Sequence, residues 1–442
     1  MRILRLASLI VLSVALSSHH PAQAADLELL DKPLWIFPGQ TFRIAIEQSE
    51  GAGELEVDVP SSVELFDTWP KDAIQRFYFR ALATGDATLT FRGKAGNLEV
   101  PLEVIPWSDV FQPHKFKSVD LPRIWPQGET GYGHLKQRRT FYSDAELDRM
   151  RQPEAKVHGT ARKWAEMSDE QVWNIIPGPC VPRTCLIVIS GSRAEEGPDK
   201  GCPVCGIKVY EGRSGFYPWI FDAEEHPWKV GCPSCQSWFP SNDWHLGDMH
   251  SGPFPDDGFG CEPLQPVTSA SGVAWRWPFV AYYHQWQAYM RQFTPGIEQA
   301  AQAYAQTGDR RYAHKAAIGL FRFAESMLDM SLNLNHRKMA VRDAILRWPV
   351  GAPSTRNGAA GTFLYIQPNW DTPRMETCAR AWDLIFDALD DDGELLQFCR
   401  SRHHPEIQTI EDFRRFVEAG VIRVPAQACL DNAVARNYPM QE

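Results

Sequence analysis

A multidomain fold is predicted, in which a small antiparallel β-sandwich, a cysteine-bearing metal segment and an all-α array follow one another along the chain. Three observations carry that prediction. From Ala25 to about Pro106 apolar residues recur at every second position, the period of strands with one buried face. Two C-P-x-C turns, at Cys202/Cys205 and Cys232/Cys235, stand 26 residues apart, a spacing that brings four thiolates to one ion. After "VTSASG" the apolar period becomes that of a helix and stays there.

Ahead of the sandwich, residues 1–24 combine Arg2 and Arg5, an apolar run from Leu6 to Leu16 and a small-residue "AQA" ending at Ala24. This is the pattern of a secretory signal peptide cleaved after Ala24, and it predicts a periplasmic or extracellular protein. No segment approaches the roughly 20 apolar residues of a spanning helix, so no membrane span is expected. Cleavage removes two arginines and no acid, moving the formal charge from −10 to about −12. So acidic a chain argues against nucleic acid, because phosphate binding relies on basic patches.

Within residues 25–106 the alternating sets are Phe42, Ile44, Ile46; Leu55, Val57, Val59; Phe77, Phe79, Ala81; Ala87, Leu89, Phe91; and Leu98, Val100, Leu102, Val104. Turn signals such as "GAG", "TGD" and "GKAGN" separate several of them, as in a sandwich of immunoglobulin-like architecture. Residues 107–185, rich in proline and charge, read as an irregular packed connector with helices around Asp144–Met150 and Asp169–Ile175. The zinc-knuckle segment occupies residues 186–262 and the helical part residues 263–442.

In the helical part, Phe279, Tyr282, Trp286, Tyr289 and Phe293 share a face. Thr294 and Pro295 read as a cap and first-turn pair, and Thr372 and Pro373 as another. Tyr312, Ala316, Leu320, Phe323 and Met327 form one inward stripe, and Met375, Cys378, Trp382, Ile385 and Leu389 form the next. Shorter helices are expected near Glu411–Ala419 and Ile422–Arg436. Short connections make neighbours antiparallel, hence stacked helical hairpins. "AYAQTGDRRYAHKA" has the look of a tetratricopeptide unit, but no second copy follows at a period of 34 residues.

Each C-P-x-C turn converges two thiolates, and two turns complete a tetrahedron. Cys202, Cys205, Cys232 and Cys235 are therefore expected to bind zinc, with disulfides among them as the alternative in an oxidising compartment. Four sulfurs leave no open position for water, so the ion's role is structural. Cys180 and Cys185 read equally well as a disulfide or as buried thiols. Cys378, Cys399 and Cys429 read as core, and His226, His245 and His250 as surface or hydrogen-bonding groups.

The stretch from "GCPVCG" through "YPWIFDAEEHPWKVGCPSCQSWFPSNDW", followed by "AYAQTGDRRYAHKA" and "PNWDTPRMETCARAWDLIFDAL", resembles the heparinase II/III-like family of secreted or periplasmic polysaccharide lyases and their relatives. The likeness covers roughly residues 120–442. It implies an (α/α) toroid with a sugar groove, and β-elimination at a 4-linked uronic acid in a polysaccharide. Such chemistry needs a donor to neutralise the uronate carboxylate and a base, often Tyr or His, at the C5 proton. By the resemblance, Asn437 in "NYPMQE" is the carboxylate donor; a helix C-cap is the plainer reading of that residue. Asn369, Trp370 and Asp371, placed in a loop ahead of a capped helix, and Arg374 in its first turn are candidates for contacting sugar; capping and a hydrophobic staple explain the first three equally well. Arg374 and Glu376 face the groove or pair with each other. Tyr282, Tyr283 and His284 have acid–base chemistry, with Tyr282 on the apolar face. Fewer helices are present than a six-hairpin toroid needs, and the family's downstream Tyr and His and its C-terminal sandwich have no counterpart. The chain is therefore expected to be the N-terminal part of a longer protein and inactive alone as a lyase. A non-catalytic exported carbohydrate-binding or scaffold protein is the alternative.

Overall fold

A computed structural model describes residues 27–33, 36–49, 51–107, 136–154, 156–178, 201–213, 218–258, 260–261, 277, 279–287, 291–332 and 368–423. The N-terminal part holds β1 (Glu28–Asp31), β2 (Thr41–Glu47), β3 (Glu56–Asp58), β4 (Val63–Lys71), β5 (Ile74–Ala81), β6 (Gly85–Gly93) and β7 (Gly96–Val104). These pair antiparallel in two sheets, ordered β1-β2-β5-β4 and β3-β6-β7. Alternation sends Phe42, Ile44, Phe77, Phe79, Leu89, Phe91, Val100 and Leu102 into one shared core, as the period-two pattern requires.

The central strands depart from that pattern. Arg43, Ala45, Arg76 and Tyr78 point the other way on β2 and β5 and are buried as well. Tyr78 packs with Trp244, Met249, Val280 and Ala281, so this outer face lies under the cysteine-bearing segment and the helix after it. Polar residues that alternation would assign to solvent are thus sealed in.

Beyond Trp107 the chain forms α1 (Asp144–Met150), α2 (Gly159–Glu166) and α3 (Asp169–Trp173). Ser143 with Glu146, and Ser168 with Gln171, make reciprocal capping boxes at the starts of α1 and α3. The irregular stretch before α1 is tied down by Asp383, whose carboxylate accepts the N–H groups of Thr140, Phe141 and Tyr142 at 2.8–3.0 Å.

The cysteine segment carries a two-stranded ladder of β8 (Val230–Gly231) and β9 (Trp238–Phe239). Then come α4 (Phe279–Trp286), α5 (Phe293–Thr307), α6 (Arg310–Leu332), α7 (Pro368–Ile385), α8 (Gly393–Ser401) and α9 (Ile410–Glu418), the last continuing through a π-turn at Ala419–Arg423. Trp164, Ile297, Leu320, Phe321, Trp382, Phe413 and Phe416 meet in one core. Both expected stripes, Tyr312 to Met327 and Met375 to Leu389, are buried. None of the described helices is long and apolar enough to cross a membrane.

Two helix starts differ from the sequence reading. Helix α5 begins at Phe293, with Thr294 buried inside its first turn and no side-chain cap at Gln292. Pro295 is tolerated there because first-turn amides have no intrahelical partner. Helix α7 begins at Pro368 and takes Pro373 into its interior. A proline suited to the first helical position therefore marks the wrong boundary, and one backbone hydrogen bond is forgone inside the helix.

Candidate metal centre

The four cysteines come together. Cys202 Sγ lies 3.6 Å from Cys235 Sγ, and Cys205 Sγ lies 3.5 Å from Cys232 Sγ. All four sulfurs fall within 4.8 Å of one another. Tetrahedral thiolate coordination at about 2.3 Å per bond places sulfurs roughly 3.8 Å apart, so this cluster fits a single metal ion. The separations are far from the ~2.05 Å of a disulfide, and all four cysteines are free thiols.

The backbone explains the convergence. Cys202 and Gly206 exchange N–H···O bonds at 3.0 and 2.7 Å, and the Gln236 N–H donates to the Cys232 carbonyl at 2.9 Å. The residue following each C-P-x-C turn adopts a left-handed conformation: Gly206 at φ 59° and Gln236 at φ 61°. Glycine adopts this at no steric cost, whereas glutamine carries a Cβ penalty that the surrounding turn must offset. Gly201 is required for a second reason, since a Cβ there would lie 2.5 Å from the Gly206 carbonyl oxygen.

Burial drives the Cys202 thiol well above the usual cysteine range and pushes Cys205 up to about 12. Burial also acts on Cys235, but hydrogen bonds from the side chain and backbone of Ser237 outweigh it and lower that thiol to about 7. Metal binding must therefore displace protons from the first two positions.

Aromatic packing and buried acids seat the centre in the molecule. Cys202 and Cys232 share a core with Trp219, Val230, Phe239, Trp277, Phe279 and Tyr283. Phe239 stacks on Phe279 at 4.9 Å, and Trp277 Nε1–H donates to the Gly201 carbonyl at 2.8 Å. Asp257 accepts from Arg43 at 2.9 Å and from the Tyr78 hydroxyl at 2.8 Å, which joins the segment to β2 and β5. Asp256 accepts N–H bonds from Gly258, Gly260 and Val280 at 2.8–3.1 Å, joining it to the start of α4. Burial, helped by the neighbouring Asp257, raises the Asp256 carboxyl to about 6 despite these bonds. Sequence reading missed Arg43, Tyr78, Asp256 and Asp257. "PDDGFG" has the composition of an ordinary turn, and the partner strands lie about two hundred residues upstream.

His226 stacks on Trp238 at 3.8 Å, His250 contacts Asp67 at 3.2 Å and His245 packs edge-on against Trp228. None joins the sulfur cluster. Tyr282, Tyr283 and His284 are all buried. The Tyr283 hydroxyl donates to the Ile175 carbonyl at 2.9 Å, and burial raises its pKa well above the tyrosine range. That withdraws it as a base open to a ligand.

The sugar-contact candidates are scattered differently from expectation. Asn369, Trp370 and Asp371 lie in the first turn of α7 rather than in a loop before it; their side chains fall outside the described residues. Arg374 is half-buried one turn before Cys378. Glu376 pairs with Arg380 at 2.7 Å, the i,i+4 partner that helix geometry favours, and not with Arg374. Asn437, Cys180, Cys185 and Cys429 lie outside the described residues.

No protein-family model and no curated protein matches the chain. Among solved structures, domains 4 and 5 of the S-layer protein SbsC align at 15% identity and a TM-score of 0.16, covering 18% of this chain and 53% of that one. Domains 4–9 of the same protein align at 13% identity and the same TM-score, covering 18% and 14%. The alignment thus spans about half the length of the first structure, and at this TM-score the likeness carries no argument.

Proposed function

We propose that the chain is a secreted or periplasmic polysaccharide lyase-like protein of the heparinase II/III type, carrying one structural zinc. In this reading residues 1–24 are a signal peptide, the paired sheets are an immunoglobulin-like sandwich, and the helical hairpins belong to an (α/α) toroid. One observation supports it above the others: four converging thiols, packed by aromatics directly against α4. This is the order, knuckle and then helices, in which the resembling phrases occur. A sulfur-only site selects a soft or borderline ion such as zinc and offers no water for hydrolysis, so chemistry must come from side chains elsewhere. The substrate is a uronate-containing polymer. Asn437 neutralises the uronate carboxylate, while Asn369, Trp370, Asp371 and Arg374 line the approach.

The sealed positions of Tyr283 and His284 favour a second reading, a non-catalytic carbohydrate-binding protein. Incubation of the full-length protein with heparan sulfate, hyaluronan and alginate separates the two, because β-elimination creates an unsaturated uronate that absorbs in the ultraviolet. Rising absorbance supports the lyase and names its polymer. Retarded migration in polymer-containing gels without absorbance supports binding alone, and neither signal on any polymer overturns the carbohydrate reading.

A further inference from the structure

His404 sits where the sheets meet the helices. The Phe37 and Trp107 rings stack at 4.1 Å and 10°, and the Trp107 ring stacks in turn on His404 at 4.8 Å and 23°. Trp107 Nε1–H donates to the Pro38 carbonyl at 3.2 Å, which locks the column to the turn before β2. That turn also presses on the neighbouring residue: a Cβ on Gly39, at φ +81°, would lie 2.8 Å from the His403 ring. On the helical side, Phe321 of α6 and Phe416 of α9 approach His404 edge-on at 4.8 Å each.

Both imidazole nitrogens face carboxylates. Nδ1 lies 3.0 Å from Glu406 and Nε2 lies 3.2 Å from Glu325, with the histidine side chain fully sealed. An ionised carboxylate only accepts, and a neutral imidazole has one N–H, so satisfying both contacts requires the imidazolium. Arg322 completes the charge balance by donating to Glu325 at 2.8 Å and to the carbonyls of Ile176 and Pro177 at 3.1 and 2.7 Å. Two carboxylates thus face two cations. Among the described residues, other ionisable groups nearby include Cys399 and Arg400 on α8, Asp392 ahead of it, His403 and Arg402 beside His404, and Arg80 of β5, which acts on His403.

We propose that His404 is an ionic pin coupling the sheets to the helices: as an imidazolium clamped by Glu325 and Glu406 it carries the end of the Phe37–Trp107 column, and loss of its proton releases that coupling. Deprotonation would turn one nitrogen's lone pair toward a carboxylate and leave a buried negative charge in excess, which is unfavourable away from water. Burial alone would lower the histidine's proton affinity, but the hydrogen bonds and charges of Glu325 and Glu406 outweigh it and raise it. The proton is therefore held to higher pH than on a free imidazole, and the pin is lost as pH rises through the raised value.

Histidine-selective 13C labelling of the full chain reads the His404 titration directly, and amide exchange reports protection at Phe37–Gln40 in parallel. We expect a His404 midpoint above the ordinary value of about 6.5, with protection of the turn falling about tenfold across that midpoint. Glu406→Gln keeps the fold and lowers the proton affinity of His404 roughly tenfold, moving the loss of protection with it. His404→Phe keeps a ring in the column and removes the pH dependence. A His404 midpoint at or below the ordinary value, or turn protection unchanged across the titration or not shifted by Glu406→Gln, would overturn the proposal.

Discussion

The α5–α6 hairpin and the cysteine segment between residues 201 and 261 are ordered by opposite means. In the hairpin the backbone between the helix ends pairs within its own helix, and packing of the stripe from Tyr312 to Met327 supplies the rest. The cysteine segment has two-residue strands and short 3-10 turns, and its backbone pairs through scattered turns and single bridges instead of a continuous ladder. Four sulfurs, a set of indole and phenyl contacts and two buried aspartates stand in for it. Regular structure tolerates the loss of any one contact, whereas a segment held by a few point constraints depends on each of them.

The largest expected effect follows from that contrast. Cys205→Ser should cost several kcal/mol through loss of the structural ion, and should melt the segment while the helical core remains. Circular dichroism would then keep its helical signal as near-ultraviolet tryptophan signals collapse; loss of both together would show that the regions fold as one unit.

Next comes the seam to the sheets. Arg43→Met takes a buried guanidinium away from the Asp257 carboxylate, which also accepts from the Tyr78 hydroxyl, and should destabilise by about 3–5 kcal/mol. The double change Arg43→Met with Asp257→Leu should recover much of this, since the penalty comes from the stranded charge. Denaturant unfolding of both variants measures the difference, and equal losses would contradict a charge origin.

A smaller, pH-dependent effect belongs to the helical side. His314 lies between Asp392 at 2.7 Å and Asp169 at 3.0 Å, beside a cavity of about 500 Å³ lined also by Arg310, Arg311 and Lys315. Despite partial burial, these carboxylates raise His314 to about 9. Burial likewise opposes ionisation of Asp169, but His314 and Lys315 bring it down to about 2. These are two ends of one interaction and count once. A raised histidine contributes fully below its unfolded value near 6.5 and loses that contribution as pH climbs through 9; the depressed aspartate loses its share as pH falls from about 4 to 2. After allowance for solvent screening, the plateau between should stand on the order of 1 kcal/mol above either flank. Asp169→Asn should flatten both flanks in thermal unfolding across pH. Glu376→Ala, which breaks an exposed helical pair with Arg380, should leave the thermal midpoint nearly unchanged, because solvent screens such a pair.

The same contrast decides what was legible in the sequence. Strands with one buried face and helices with one apolar stripe announce themselves through their period, as β6, β7 and α6 do. The cysteine spacing announces its convergence because two turns suffice to describe it. Helix α2 was missed: it opens on His158 and Gly159 and buries just Ala161 and Trp164, too few residues to show a period. The start of α7 was misplaced because Pro373 satisfies a local rule that the longer helix overrides. The burial of Arg43 and Tyr78 was invisible, since nothing local distinguishes a strand's outer face under solvent from one under a distant loop. The clamp on His404 joins Glu325 and Glu406 across 79 and 2 positions, and only the nearer partner could have been guessed.

The central claim is that one metal ion orders the cysteine segment while the α5–α6 hairpin holds its structure without it. Elemental analysis of the purified protein, combined with amide exchange before and after a chelator, tests it most directly. The account predicts one zinc per chain, and loss of protection after chelation across residues 202–239 with residues 293–327 unchanged. Metal-free protein whose segment is already protected, or disulfides mapped among Cys202, Cys205, Cys232 and Cys235, would contradict it.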